Sequence, residues 1–144
     1  MFDHVGIAVS DFAASERFYR TVLSVLGVEP SHADAELVEW DHWAIGPMDR
    51  EHPVTCGLHV GFRAPSREAV DAFWQAGIDA GYRDDGAPGP RTIYGPDYYG
   101  GFLLDPDGNT RRRCTPSART ACPTAASTTS GSVSVTPPRP SAST

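Results

Sequence analysis

Lysine is missing from this 144-residue chain, so all twelve of its basic side chains are arginine. Cysteine is scarce. Cys56, Cys114 and Cys122 form no C-x-x-C pair, which argues against both a structural zinc site and a disulfide framework. No apolar run approaches the roughly 20 residues that a membrane helix needs. The opening MFDHVGIAVSD alternates like a strand and carries an acid at position 3, so it does not read as a signal peptide. A cytoplasmic location is the expectation. There is no G-x-S-x-G, no G-x-G-x-x-G and no phosphate-cradling glycine loop. Acid is also missing from one region. Residues 111–144 hold five of the twelve arginines and none of the eighteen acidic side chains, which leaves residues 1–110 at −11. A body that acidic does not favour nucleic acid as a partner.

What is present is a hydrophobic content of 40%, ordinary for a globular domain of this length. An internal repeat organises it. HVGIAVSDFAASERFY at 4–19 matches HVGFRAPSREAVDAFW at 59–74 at a constant offset, without a gap. In each copy a strand precedes a helix. Val5, Ile7 and Val9 alternate with His4, Gly6 and Ala8, and Val60, Phe62 and Ala64 alternate with His59, Gly61 and Arg63. Ser10 or Asp11 is placed to cap the first helix and Ser66 the second. Ala14, Phe18, Val22 and Leu26 make one apolar stripe, ended by Gly27. Val70, Phe73, Trp74, Gly77 and Ile78 make the other, ended by Gly81. Strand-like runs follow: ELVEW at 36–40 and WAIG at 43–46, then RTIYG at 91–95 and YYGGFLL at 98–104.

The pattern predicts an α+β fold of two β-α-β-β-β modules, about 1–50 and about 54–110, each with its helix on one face of the sheet and a concave face opposite. The alternation aims the valines and Phe62 at the helices. His4, Gly6, Ala8, His59, Gly61 and Arg63 are left on the concave side. A lone strand histidine is more simply a hydrogen-bonded structural residue. Two at equivalent positions shift the reading toward a metal or ligand site, because metal sites draw convergent donors from separate strands. Neutral imidazole suits Zn, Fe, Ni or Mn. Glycines two residues on leave room for a ligand.

Four segments carry a resemblance: FDHVGIAVSD at 2–11, the Phe18-Tyr19 pair, GLHVGFRAPS at 57–66 and FLLDPDGN at 102–109. By these residues 1–110 resemble the vicinal oxygen chelate superfamily, which includes glyoxalase I, extradiol dioxygenases, and fosfomycin- and bleomycin-resistance proteins. The resemblance implies two paired β-α-β-β-β modules whose curved mixed sheet surrounds a shared cleft holding a divalent metal, with His4 and His59 as its histidine ligands. It further implies a small-molecule substrate and two functional alternatives. One is a glyoxalase-like, metal-dependent enzyme, a lyase or an oxidoreductase. The other is a metal-free protein that sequesters a small molecule, as bleomycin-resistance relatives do. Pairing of two chains into a homodimer fits the family; a membrane partner does not fit the sequence.

The chain departs from the family after DPDGN. Family members continue into a last strand with a metal-binding glutamate. Here Arg112 stands in that place, permanently protonated and without a lone pair to donate. Asn109 to Thr115 offers no apolar face, so the His59 strand is expected to keep an open edge. The segment 111–144, rich in Ser, Thr, Pro and Ala, is expected to be disordered. Its composition is that of a GC-rich reading frame out of register, and equally that of a natural low-complexity tail. Only SVSVT at 132–136 is strand-like, and no sequence signal places it.

The remaining candidates are weaker. Arg63 suits an anionic substrate group, or simply solvent at a strand end. Trp40, Tyr94, Tyr98 and Tyr99 suit an aromatic-binding cleft, or ordinary packing. His42, and behind it Glu39, lies where some relatives place a further ligand. His32 and His52 read as exposed loop residues.

Overall fold

A computed structural model describes residues 3–109 and 133–136. Module 1 runs β1 (Val5–Val9), α1 (Phe12–Ser24), β2 (His32–Ala33), β3 (Val38–Trp40) and β4 (Trp43–Pro47). Module 2 runs β5 (Val60–Arg63), α2 (Arg67–Asp79), β6 (Arg83–Pro90), β7 (Tyr99–Leu104) and β8 (Val133–Thr136). The two four-stranded sheets have the same topology, β1-β4-β3-β2 and β5-β8-β7-β6. In each, the last strand lies parallel to the first and antiparallel to the third. The repeat in the sequence is therefore a repeat in the fold.

The helices start where polar side chains replace missing backbone partners. The Asp11 carboxylate accepts from the Ala14 N–H at 2.9 Å, and the Ser66 hydroxyl from the Ala69 N–H at 3.2 Å. Gly81, at φ +84, turns the chain away beyond α2, a conformation any side chain would strain. On α1 the buried face is Ser15, Phe18, Tyr19, Val22 and Leu23. Alternation on the strands sends Ile7, Val9, Trp43 and Ile45 to the same core. Trp43 then meets Phe62 edge to face, at 5.8 Å between ring centroids, so the core crosses from one module to the other.

The DPDGN turn is a second join. Asp105, 5% exposed, accepts hydrogen bonds from the Tyr19 hydroxyl at 3.1 Å and from the Asn109 side-chain amide at 2.7 Å. Burial, then the adjacent Asp105 charge, raises the Tyr19 pKa well above its ordinary value, so the phenol remains a donor. Asp107 accepts from both the backbone and the hydroxyl of Ser10. The motif thus fastens the far end of module 2 to the first helix of module 1.

Two sequence expectations are corrected. The expected open edge beside β5 is filled: β8 pairs Val60 with Val133 and Arg63 with Thr136, and on its other side pairs with β7. Its alternating Val-Ser-Val-Thr suits a pleated strand, and only a long-range pairing could assign its place. RTIYG at 91–95 is not a strand. Residues 91–98 form a turn closed by the Arg91 N–H on the Tyr98 carbonyl at 2.8 Å. The strand is the preceding Arg83–Pro90, which pairs with β7 through two register shifts. Glycine and proline are tolerated there because β6 is an edge strand. Of the 111–144 tail, all but β8 lies outside the described residues. Among the described residues no helix is long and apolar enough to cross a membrane.

Candidate functional site

Among the described residues, one hollow of about 750 Å³ lies on the face of the first sheet turned away from α1. Its floor follows from alternation: where Ile7 and Ile45 enter the core, Gly6, Ala8, Ala44 and Gly46 are left on the opposite face and stay small. A Cβ added at Gly6 would meet nothing within 4 Å, so the space above it is open. One wall is Glu36 and Leu37, the other the loop from Met48 to Thr55. That loop is held against the free edge of β1. Thr55 donates its N–H to the Ala8 carbonyl at 2.9 Å, and its hydroxyl accepts the Ala8 N–H at 3.1 Å. Asp49 shapes the loop by accepting from the backbone N–H groups of Glu51 and His52. The hydrogen bond with the His52 ring, then these backbone bonds, holds the Asp49 carboxyl below its ordinary pKa. The carboxylates of Glu36 and Glu51 make the rim acidic.

The second hollow, about 600 Å³, lies at the seam between the modules. The end of α1, the β3–β4 turn and β5 form its walls. His59, Gly61 and Arg63 line it together with Val60 and Phe62, so β5 meets it along the edge that β8 does not cover. Trp40 and His42 also line it. Four side chains singled out in the sequence, Trp40, His42, His59 and Arg63, are thereby brought to one cavity.

The other candidates are elsewhere. His4 is exposed and hydrogen-bonds Asp3 at 3.0 Å. Tyr94 and Tyr98 contact each other with tilted rings in the turn after β6, at 5.0 Å between centroids. Tyr99 donates its hydroxyl to Asp71 on α2 at 2.8 Å and lies under the Arg67 guanidinium, a role in holding the helix to its sheet. Glu39 is partly buried on β3, and its carbonyl accepts from Ser31. His32 and His52 are exposed, each beside an aspartate.

The two equivalent histidines have different surroundings. His59 lies 6.2 Å from the Phe102 ring, and partial burial lowers its pKa against an opposing pull from Asp85. Its imidazole is therefore mostly neutral near pH 7. His4 keeps its aspartate. Among the described residues, no three His, Cys, Asp or Glu side chains gather where they could hold a metal ion. Topology bears on the donor set. The strands beside β1 and β5 are Trp43–Pro47 and Val133–Thr136, and neither sequence contains a carboxylate, imidazole or thiol. These residues do not fit the metal that the family resemblance implies.

Sequence reasoning missed the loop from Met48 to Thr55, which straddles the expected boundary between the modules. The usable signal was the small-residue alternation Ala44 and Gly46 facing Gly6 and Ala8.

The model of the glyoxalase/bleomycin resistance protein/dioxygenase superfamily matches residues 1–111. A glyoxalase/bleomycin resistance protein from Albidiferax ferrireducens is similar in structure, with a TM-score of 0.69 and 28% identity over 97% of this chain and 99% of that one. A lactoylglutathione lyase from Agrobacterium tumefaciens shares the fold at TM-score 0.59 and 17% identity, covering 95% and 92%. A fosfomycin resistance protein from Listeria monocytogenes does so at 0.58 and 13%, covering 96% and 93%. No curated protein matches the chain. With its paired modules and a family match over most of its length, the chain belongs to the glyoxalase/bleomycin resistance protein/dioxygenase superfamily.

Proposed function

We propose that this protein binds and sequesters a small organic molecule without a metal, in the manner of a bleomycin-resistance protein. The ligand sits on the open face of the first sheet. The observation that carries the reading is the hollow of about 750 Å³ floored by Gly6, Ala8, Ala44 and Gly46, a size in the usual range for small-molecule sites. A floor of glycine and alanine admits a flat or bulky body. Glu36 and Glu51 on the rim favour a cationic group, in a domain whose net charge already attracts cations. The strands flanking β1 and β5 supply no donor for a metal, which weighs against Lewis-acid chemistry at the His4 and His59 positions.

Calorimetric titration of the full chain with metal-free bleomycin, the cationic ligand in the family's own name, tests this directly. Saturable binding is expected, weakened at least tenfold by Gly6→Leu, whose Cβ meets nothing within 4 Å and whose branch projects into the hollow. Binding untouched by that substitution moves the ligand elsewhere.

The metal-dependent enzyme is the second reading, favoured by the equivalent positions of His4 and His59 in the two modules. Metal analysis separates the two. Stoichiometric Zn, Ni, Fe or Mn in the purified protein, lost in both His4→Ala and His59→Ala, overturns the metal-free reading. A homodimer, common in this family, leaves either reading intact.

A further inference from the structure

The hollow at the seam is separate from the face just described, and its chemistry differs. Its walls are apolar: Leu26 and Val28 beyond the end of α1, Trp43 on β4 and Phe62 on β5. Its polar side chains are Asp41, His42, His59 and Arg63. Asp41 and His42 face each other at 3.4 Å. Arg63 has no carboxylate within ion-pair distance among the described residues, although the domain around it is strongly acidic. An unpaired guanidinium beside an apolar wall is a ready partner for an anion.

The indoles of Trp40 and Trp43 stand behind that wall, both at least nine-tenths buried and both lining the hollow. An amine would meet Arg63 with like charge.

We propose that the seam hollow is a binding site for a small apolar monocarboxylate, its acid group on Arg63 and its hydrocarbon body against Leu26, Val28, Trp43 and Phe62. The volume of about 600 Å³ accommodates a medium-length fatty acid or an aromatic acid. The site is independent of the cationic ligand proposed for the sheet face.

The test uses the full chain with Trp74→Phe, so that emission comes from Trp40 and Trp43 in the cavity wall. Trp74 is the only other indole, and it lies on α2, donating to Asp84. Octanoate, octanol and octylamine are titrated in parallel. Octanoate is expected to give a saturable emission change, with a Kd at least tenfold below those of octanol and octylamine. Arg63→Gln should remove that advantage while leaving octanol binding and the thermal midpoint unchanged. Val28→Phe, which adds bulk to the hollow without adding an indole, should weaken all three. Gly6→Leu, on the other face, should change none of them. Absence of a saturable octanoate signal, equal affinity for octanol, indifference to Arg63→Gln, or sensitivity to Gly6→Leu would each overturn the assignment.

Discussion

Module 1 closes its sheet locally, and module 2 does not. In module 1 a two-residue turn, Asp41-His42, joins β3 to β4, with Asp41 in the left-handed region at φ 54, which aspartate tolerates. In module 2 the equivalent strand β8 follows β7 only after residues 105–132. Joining the longer loop costs roughly 2 kcal/mol more in chain entropy, by the logarithmic scaling of loop closure. The cores differ in the same sense. Module 1 places Phe18, Tyr19, Val22, Leu23, Val38, Trp40, Trp43 and Ile45 in the common core, while module 2 contributes Ala64, Val70, Phe73 and Leu103 among the described residues. The open faces differ too. Gly6, Ala8, Ala44 and Gly46 leave one face of the first sheet free. On the second, Phe102 lies between His59 and the Arg91 guanidinium. The same topology has thus been used once as a platform and once as a support.

If the first module carries the stability, deleting its core should cost the most. Trp40→Ala is expected to lower unfolding stability by about 3–5 kcal/mol, measured by urea denaturation. The unfolding should remain a single transition, because Trp43–Phe62 and Tyr19–Asp105 tie the modules together. Two separate transitions would break the comparison at its root.

The tie itself comes next. Asp105→Ala strands the Tyr19 hydroxyl and the Asn109 amide without an acceptor, both buried, and should cost about 2–4 kcal/mol. Tyr19→Phe removes only one side of that bond and should cost less.

A smaller effect is expected where α2 touches its sheet. A Cβ at Gly77 would collide with the Leu103 side chain, which is fully buried. Gly77→Ala should therefore destabilise by about 1–2 kcal/mol despite alanine's better helix propensity, and Leu103→Val should recover part of the loss.

The smallest is a pH effect confined to module 2. Burial depresses the folded-state pKa of His59 below its ordinary 6.5. The unfolded chain then binds the proton more tightly, so stability is full above 6.5 and declines as pH falls toward the folded value. His59→Gln should flatten the slope of stability against pH below 6.5 in parallel denaturation curves. An unchanged slope would place the burial elsewhere.

How much of this could be read from residues alone follows from the distance over which each feature is decided. The two strand-helix units were legible because alternation, capping and the stripes at 14–26 and 70–78 are local. Ser66 and Asp11 cap as their chemistry dictates. β6 was not legible, since Arg-Asp-Asp-Gly-Ala-Pro-Gly-Pro has poor strand propensity and is held by pairing with β7. β8 was visible as a fragment, but its slot between β5 and β7 depends on pairing across a long separation. At the candidate sites the face of each strand was legible and the depth was not. Alternation put Gly6 opposite Ile7, yet the hollow above it exists only because Thr55 pins a loop to Ala8. His42 and Arg63 meet in one cavity because a hairpin turn of one module abuts the first strand of the other, which neither segment announces.

The central place of β8 also fixes an order of events at the ribosome. At translation rates of about 5–20 residues per second, some 2–6 s separate the synthesis of Leu104 from that of Thr136. During that interval β5 and β7 exist with their facing backbone groups unclaimed, while the first half can already have assembled. A nascent chain of this protein passes through a sticky adolescence that its N-terminal half never knows, and a slow stretch of codons before Val133 would lengthen it.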